Sequence, residues 1–177
     1  MAEHALAIDI GGTKIAAGLV DAGGELVHTA KLPTPDTNDA EAIWAVAEQL
    51  IREAMAGRSV RGVGIASAGP IDLHAGTVSP INITAWQGFP IVDRVAATVP
   101  GVPMRLAGDG LCMALGERWR GAGGDASFLL GMVVSTGVGG GIVMDGRLFD
   151  GSSGNAGHVG HIIVSRGGPR CYCGGLG

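Results

Sequence analysis

Short apolar runs punctuated by glycine dominate the opening of the chain. Ala5–Asp21 is an apolar run, a polar and glycine-rich knot at Asp9-Ile-Gly-Gly-Thr-Lys14 and a second apolar run, which predicts two strands joined by a tight hairpin. Asp21-Ala-Gly-Gly24 then turns the chain into a third strand over Glu25–Leu32, which Pro33 and Pro35 end. From Asp39 the period changes, and Ile43, Val46, Ala47, Leu50, Ile51, Ala54 and Met55 recur at helical spacing, with Gly57 as the stop. Val60–Ala66 reads as a buried strand that delivers Ser67-Ala-Gly-Pro70 at its C-terminal end, where α/β folds place ligands. Thr77–Trp86 has no period and is expected to be irregular, leaving Asn82 and Trp86 available to a cleft. Pro90–Thr98 predicts a weak helix and Pro103–Ala107 a strand ending at Gly108-Asp109-Gly110. A further helix runs through Leu111, Met113, Leu115 and Trp119.

Near Gly121-Ala-Gly-Gly124 the residues become small and flexible, which divides the chain into a first unit over 1–120 and the beginning of a second over 121–177. The opening pattern then repeats. Phe128–Ser135 is apolar, Thr136-Gly-Val-Gly-Gly-Gly141 is a glycine turn with a hydroxyl, Ile142–Met144 is apolar, and Asp145-Gly146 turns the chain as Asp21–Gly24 does. Two strand, glycine-turn, strand units suggest an internal duplication. The fold class expected is α/β with duplicated lobes facing each other across a nucleotide; the family resemblance given below implies that the second lobe is incomplete.

Composition narrows the setting without changing this picture. An apolar content of 46% with positive mean hydropathy, and no run of about 18 apolar residues, predicts a globular protein with no membrane span. The net charge of −4 and the absence of any Lys/Arg cluster argue against a nucleic-acid partner. No signal-peptide pattern precedes Ala5, so the expected location is the cytoplasm. Three cysteines, two of them in Cys171-x-Cys173, favour metal binding over a disulfide framework.

The first glycine knot carries candidate chemistry. Gly11 and Gly12 tolerate positive φ and lack side chains, so backbone amides can close on an anion, while Thr13 adds a hydroxyl and Lys14 a cation. The spacing is neither the Walker loop nor GxGxxG. Asp9 beside a phosphate suits a Mg²⁺ ion, held directly or through water. The alternative is an ordinary hairpin turn. Asp109, at a strand-to-helix junction, is either a helix cap or a general base. His161 lies ten positions before Cys171, with glycines between, which makes His161, Cys171 and Cys173 a plausible part of a tetrahedral zinc site.

In this order, DIGGTK at 9–14, STGVGGGIV at 135–143, GNAGHVGHI at 154–162 and CYCGGLG at 171–177 resemble the ROK family of sugar kinases and repressors. That family lies within the actin/Hsp70/hexokinase-like (ribonuclease H-like) superfamily. The resemblance implies two α/β lobes with Mg²⁺ and ATP between the two glycine turns, and a hexose in the cleft phosphorylated at its C6 hydroxyl. Asp9, Gly11, Gly12, Thr13, Lys14, Thr136, Gly137, Gly139 and Gly140 would meet the nucleotide phosphates and their metal. Asp109, matching the aspartate of the family's Asn-Asp-Ala motif, would take the hydroxyl proton. Gly69, Asn82, Gly108, His158 and His161 would line the sugar pocket with it. A structural Zn²⁺ is implied on His161 and three cysteines, two of them Cys171 and Cys173.

The family's third cysteine would follow Gly177 directly. The chain is therefore expected to be an inactive fragment of a longer kinase, compatible with a homo-oligomeric parent. Glucose is the substrate expected of the family. The departures Gly108 for asparagine and His158 for glutamate point instead to an amino-sugar such as kanosamine. A non-catalytic sugar-responsive regulator is the remaining alternative, and the donor, ATP or polyphosphate, stays open.

Overall fold

The computed structural model describes residues 4–134, 137–152, 154–171 and 174–177. The first glycine knot joins β1 (Ala5–Ile10) to β2 (Lys14–Val20), and β3 (Leu26–Pro33) completes the meander. Two later strands, β4 (Val63–Ser67) and β7 (Met104–Gly108), add in parallel to give a five-stranded sheet of order β3-β2-β1-β4-β7. Parallel pairing aligns the strand ends, because Ile10 lies opposite Ser67 and Ser67 opposite Gly108. The next residue of each strand leaves the sheet at the same edge.

Alternation decides which face is buried. Leu6, Ile8 and Ile10 of β1 turn under α1 (Ala40–Met55), with Ile15, Ala17 and Leu19 of β2 beside them. The helix starts where Asp39 caps it, its carboxylate accepting from the Glu41 and Ala42 amides at 2.9 and 3.3 Å. It stops one residue earlier than the glycine implied: Ala56 adopts the left-handed conformation at φ 45° and Gly57 continues it at φ 75°. The helix α2 (Ile91–Thr98) closes the same face through Ile91 and Val95.

The segment before α2 corrects one expectation. A small hairpin, β5 (Ile71–Asp72) with β6 (Thr77–Val78), occupies part of the stretch expected to be irregular. Trp86 is not available to a cleft: it is fully buried and stacks on Phe89 at 4.1 Å between ring centroids, and its indole N–H donates to the Ala40 carbonyl at 3.2 Å. A large aromatic ring that can satisfy its one donor internally is worth more in the core than at a surface.

The second unit repeats the meander. β8 (Phe128–Val134), β9 (Val138–Met144) and β10 (Arg147–Leu148) form a three-stranded sheet of order β10-β9-β8. Asp145 at φ 49° and Gly146 at φ 74° supply the positive φ pair of a tight hairpin turn. The second glycine turn is shorter than expected, since Gly139, Gly140 and Gly141 lie inside β9 and pair with Val133, Met132 and Gly131. Their smallness serves packing. The helix α3 (Asp109–Arg120) presses on this strand so closely that a Cβ on Gly141 would lie 2.5 Å from Leu111 Cα, and one on Gly131 2.7 Å from Ala114 Cβ.

At its other end α3 reaches the β2–β3 turn, where Arg120 pairs with Glu25 and Trp119 lies over Gly24. It therefore bridges the two sheets, although the sequence places it wholly in the first unit. The face of β8 bearing Phe128, Leu130, Met132 and Val134 is exposed. Among the described residues, no helix is long and apolar enough to cross a membrane.

Adding a methyl group at Gly141 should push α3 off its strand and destabilise the fold by about 1–3 kcal/mol. Gly139, two residues earlier on the same strand, would place its Cβ no closer than 3.5 Å to Val133. Urea denaturation of Gly141→Ala and Gly139→Ala should therefore show a large loss in the first and a small one in the second. Equal losses would show that glycine in β9 does not serve the helix contact.

Candidate active site

The parallel register of β1, β4 and β7 builds the site. The three strands end at Ile10, Ser67 and Gly108 in line, so the glycine knot, the Ala68-Gly69-Pro70 loop and Asp109 leave one edge of the sheet side by side. The knot and Asp109 are two strand spacings apart, roughly 10 Å. That edge is where parallel sheets expose backbone amides and junction side chains to a ligand.

Within the knot, the Gly11 amide is already used, donating to the Lys14 carbonyl at 3.1 Å, and Thr34 fixes the turn by donating from its hydroxyl to the Gly11 carbonyl at 2.6 Å. Among the described residues no acceptor takes the Gly12 or Thr13 amide. Those two donors, with the exposed Thr13 hydroxyl and the Lys14 ammonium, are the groups an anion would meet. Gly12 carries a second constraint. Asn82 lies across it, so that a Cβ there would sit 2.5 Å from the Asn82 Cγ. The loop after β6 thus brings Asn82 to the knot, as expected, while Trp86 goes to the core.

Asp109 is the first residue of α3, with Gly108 in the cap position. It is therefore not the helix cap, and its Oδ1 accepts from the Gly110 amide at 2.7 Å. Gly110 is held against β9, where its Cβ would lie 2.7 Å from the Gly140 amide, so the start of α3 cannot drift from the second sheet. Gly108 leaves room: a Cβ there meets nothing closer than Leu111 Cδ1 at 3.5 Å.

Electrostatics tie these groups together. Asp9 is exposed, yet the chain crowded around its carboxyl raises it above the ordinary 3.8; Lys14 works against that rise and Asp109 adds to it. Cys112, one turn beyond Asp109 on α3, was passed over by sequence reasoning because a lone cysteine carries no spacing signal. Burial pushes its thiol up to about 11, and Asp109, Asp9 and Asp150 add to the effect, so it stays protonated at neutral pH. Cys112 and Asp9 both line an apolar cavity of about 310 Å³ between α3 and the small-residue face of the first sheet. A second, polar cavity of about 170 Å³ lies beside Gly12 and Asn82, lined by Thr34, Thr37 and Asn38.

The segment after β10 brings the histidines in. His158 and His161 approach with ring centroids 4.7 Å apart, and the buried Nδ1 of His158 has no hydrogen-bond partner among the described residues. Burial lowers the His158 imidazole below its ordinary 6.5 and His161 lowers it further, while Asp109 opposes. An orphaned buried nitrogen beside a carboxylate is what a polar ligand would satisfy.

The remaining expectations divide. Gly69 faces the segment carrying His158, across Asn155. Gly137 is exposed at the start of the second hairpin, and Gly139 and Gly140 are strand residues packed between β8 and neighbouring backbone. Thr136 and Cys173 lie outside the described residues. Among the described residues no three His, Cys, Asp or Glu side chains gather as a metal site, and of the expected zinc ligands only His161 and Cys171 lie among them. Magnesium asks for less. One carboxylate together with phosphate oxygens and water suffices, and Asp9, at the end of β1 beside the glycine knot, is such a group.

Because its native carboxyl is shifted upward, Asp9 in its ionised form costs stability above the ordinary carboxylate range, and the cost disappears below it. Thermal melting of Asp9→Asn should thus exceed that of the parent near about pH 8 and converge with it near about pH 3. A lower melting point for the variant at the higher pH would contradict the assigned burial.

These features can now be set beside known proteins. The chain is 41% identical over 179 residues to the N-acetylmannosamine kinase of Salmonella newport, covering 97% of this chain and 58% of that protein. It is 34% identical over 174 residues to the glucokinase of Thermotoga maritima, covering 97% and 54%. Among solved structures, a ROK family glucokinase from Streptomyces griseus in complex with glucose and AMPPNP superposes with a TM-score of 0.85 at 37% identity, covering 98% of this chain and 55% of that one. The chain thus spans a little over half the length of the relatives it matches. The ROK family model itself matches residues 5–177, and the chain belongs to the ROK family.

Proposed function

We propose that the protein transfers the γ-phosphoryl group of ATP to the C6 hydroxyl of a hexose, glucose being the first candidate. The observation that carries this reading is the alignment of three strand ends, with free amides of a glycine knot at one side and the Asp109 carboxylate at the other. A phosphate donor and an alcohol acceptor held at these two places would have their reacting atoms between them. Phosphoryl transfer asks the protein mainly for positioning and charge neutralisation.

In the proposed step Asp109 accepts the hydroxyl proton as the sugar oxygen bonds to the γ-phosphorus. The bond from that phosphorus to the bridging oxygen breaks, and ADP leaves. The Gly12 and Thr13 amides and Lys14 hold phosphate oxygens, and Asn82 spans from the knot towards the sugar. A Mg²⁺ ion held at Asp9, directly or through water, would supply charge neutralisation for the phosphates, leaving the Asp109 carboxylate free to act as base. His158 offers its orphaned Nδ1 to a sugar hydroxyl. The second glycine hairpin, beginning at Gly137, would meet the phosphates from the other sheet. The names of the relatives, N-acetylmannosamine kinase and glucokinase, support a hexose or a derivative of one.

A second reading, that the preferred sugar carries a nitrogen substituent, is favoured by the open space at Gly108 and the histidine at position 158. Gly108 has room for a side chain, so restoring asparagine there should not distort α3. Gly108→Asn with His158→Glu is expected to raise kcat/KM for glucose relative to 3-amino-3-deoxyglucose. A parent that already prefers glucose strongly, with a ratio the double variant leaves alone, would remove this second reading.

The main reading is tested at Asp109. In the full-length protein, Asp109→Asn retains the size of the side chain but not its capacity as a base, and kcat should fall by roughly 10² or more. Glucose affinity measured by calorimetry should change far less. Turnover within a few-fold of the parent would deny Asp109 its role, and glucose binding with no phosphotransfer in the parent would favour the non-catalytic regulator instead.

A further inference from the structure

The turn that presents His158 carries another polar side chain whose placement is as constrained. Gly154 has φ 78° and packs so closely on the β5–β6 hairpin that a Cβ would lie 2.8 Å from Leu73 Cδ1. Gly157 has φ 79° and packs on β9, its Cβ position 2.8 Å from the Ile142 amide. Ala156 donates its amide to the Asp150 carbonyl at 3.1 Å. Asn155 lies between these anchors and is half-buried. Its Oδ1 lies 3.9 Å from where a Cβ of Gly69 would stand.

The turn therefore faces two neighbouring exits of the first sheet with two side chains: Asn155 at the loop after β4 and His158 within electrostatic reach of Asp109 after β7. Since Ser67 and Gly108 are register partners, the two exits are adjacent. Neither contributes bulk of its own, because Gly69 and Gly108 have no side chains and a Cβ on either would meet only ordinary contacts, at 3.7 and 3.5 Å. The result is a wall of open backbone on one side and a fixed carboxamide on the other.

We infer that Asn155 is a specificity-determining residue of the sugar site, its carboxamide hydrogen-bonding one neutral ring substituent in the space left by Gly69 and Gly108. This inference rests on the sugar-kinase reading given above. A carboxamide offers both an acceptor and donors, so it suits a hydroxyl or an amide, groups that also do both. The two glycine anchors keep the carboxamide in place whether or not a sugar is bound, which limits the entropy lost on binding. A site arranged to pair one substituent penalises the analogue that lacks it, because the site's own polar group then loses its partner.

The test uses the full-length protein with MgATP, comparing the best hexose with its monodeoxy analogues at each ring carbon. The parent should discriminate against one analogue, and Asn155→Ala should erase that discrimination alone, cutting kcat/KM for the intact sugar by about tenfold through KM while kcat stays near the parent value. Asn155→Asp, an acceptor without donors, should restore part of the preference for a hydroxyl, and Asn155→Ser, retaining a small polar group, guards against a folding defect in the alanine variant. If Asn155→Ala lowers kcat/KM for every analogue by the same factor, or leaves every ratio unchanged, the residue holds the turn and reads no substituent. If the parent neither binds nor phosphorylates any hexose while remaining folded, the kinase reading itself fails and the role of Asn155 falls with it.

Discussion

The contact between α3 and β9 fixes more of this molecule than any other. A helix lying on a strand at ordinary distance would leave room for side chains between them; here glycine replaces them, and Leu111 Cα comes within reach of where a Gly141 Cβ would be. Such an approach demands small residues on both partners, and Gly110, Ala114, Gly131, Gly140 and Gly141 supply them. Because Asp109 opens the same helix, the place of its carboxylate is set from the second sheet as well as from β7. The candidate base is held by two sheets at once, which is what a reaction sensitive to small displacements requires.

That contact also explains which parts of the site were legible in the sequence. The first knot could be read from Gly11 and Gly12 because a hairpin between two apolar runs has few other uses for adjacent glycines. The run Gly139–Gly141 looks identical in composition, yet it is strand, and its glycines answer to a helix that follows β7. Nothing local distinguishes a glycine needed for its backbone angle from one needed for what passes above it. None of the three has positive φ, and neither do Gly11 and Gly12, where the smallness of Gly12 instead makes room for Asn82; Gly146 does have positive φ, at the tight turn read there from sequence. Trp86 illustrates the same limit from the apolar side. The run around it has no clear period, and the Ala40 carbonyl that accepts its indole N–H is remote in sequence.

The periodic elements were legible to within a few residues: α1, β1, β2 and the parallel strands β4 and β7 all rest on patterns that burial alone enforces. Of the two uses the sequence offered for Asp109, cap or base, the structure removes the cap, which falls to Gly108. Cys112 and Asn155 escaped because each has many uses, and their surroundings come from strands and turns remote in sequence.

Charge placement leads to one more step. Asp9, Asp109 and Asp150 all act on the Cys112 thiol, so three carboxylates converge on a region that includes the apolar cavity under α3. Lys14, at an exposed position, lowers the Asp9 carboxyl, while Asp109 raises it. A fold selected for stability alone gains nothing from placing Asp109 where it raises the cost of ionising Asp9. The arrangement makes sense if a cation-bearing ligand completes it. A divalent ion accompanying phosphates would reverse the sign of the local field, lower the Asp9 carboxyl back towards its ordinary range, and turn a repulsive cluster into a binding free energy.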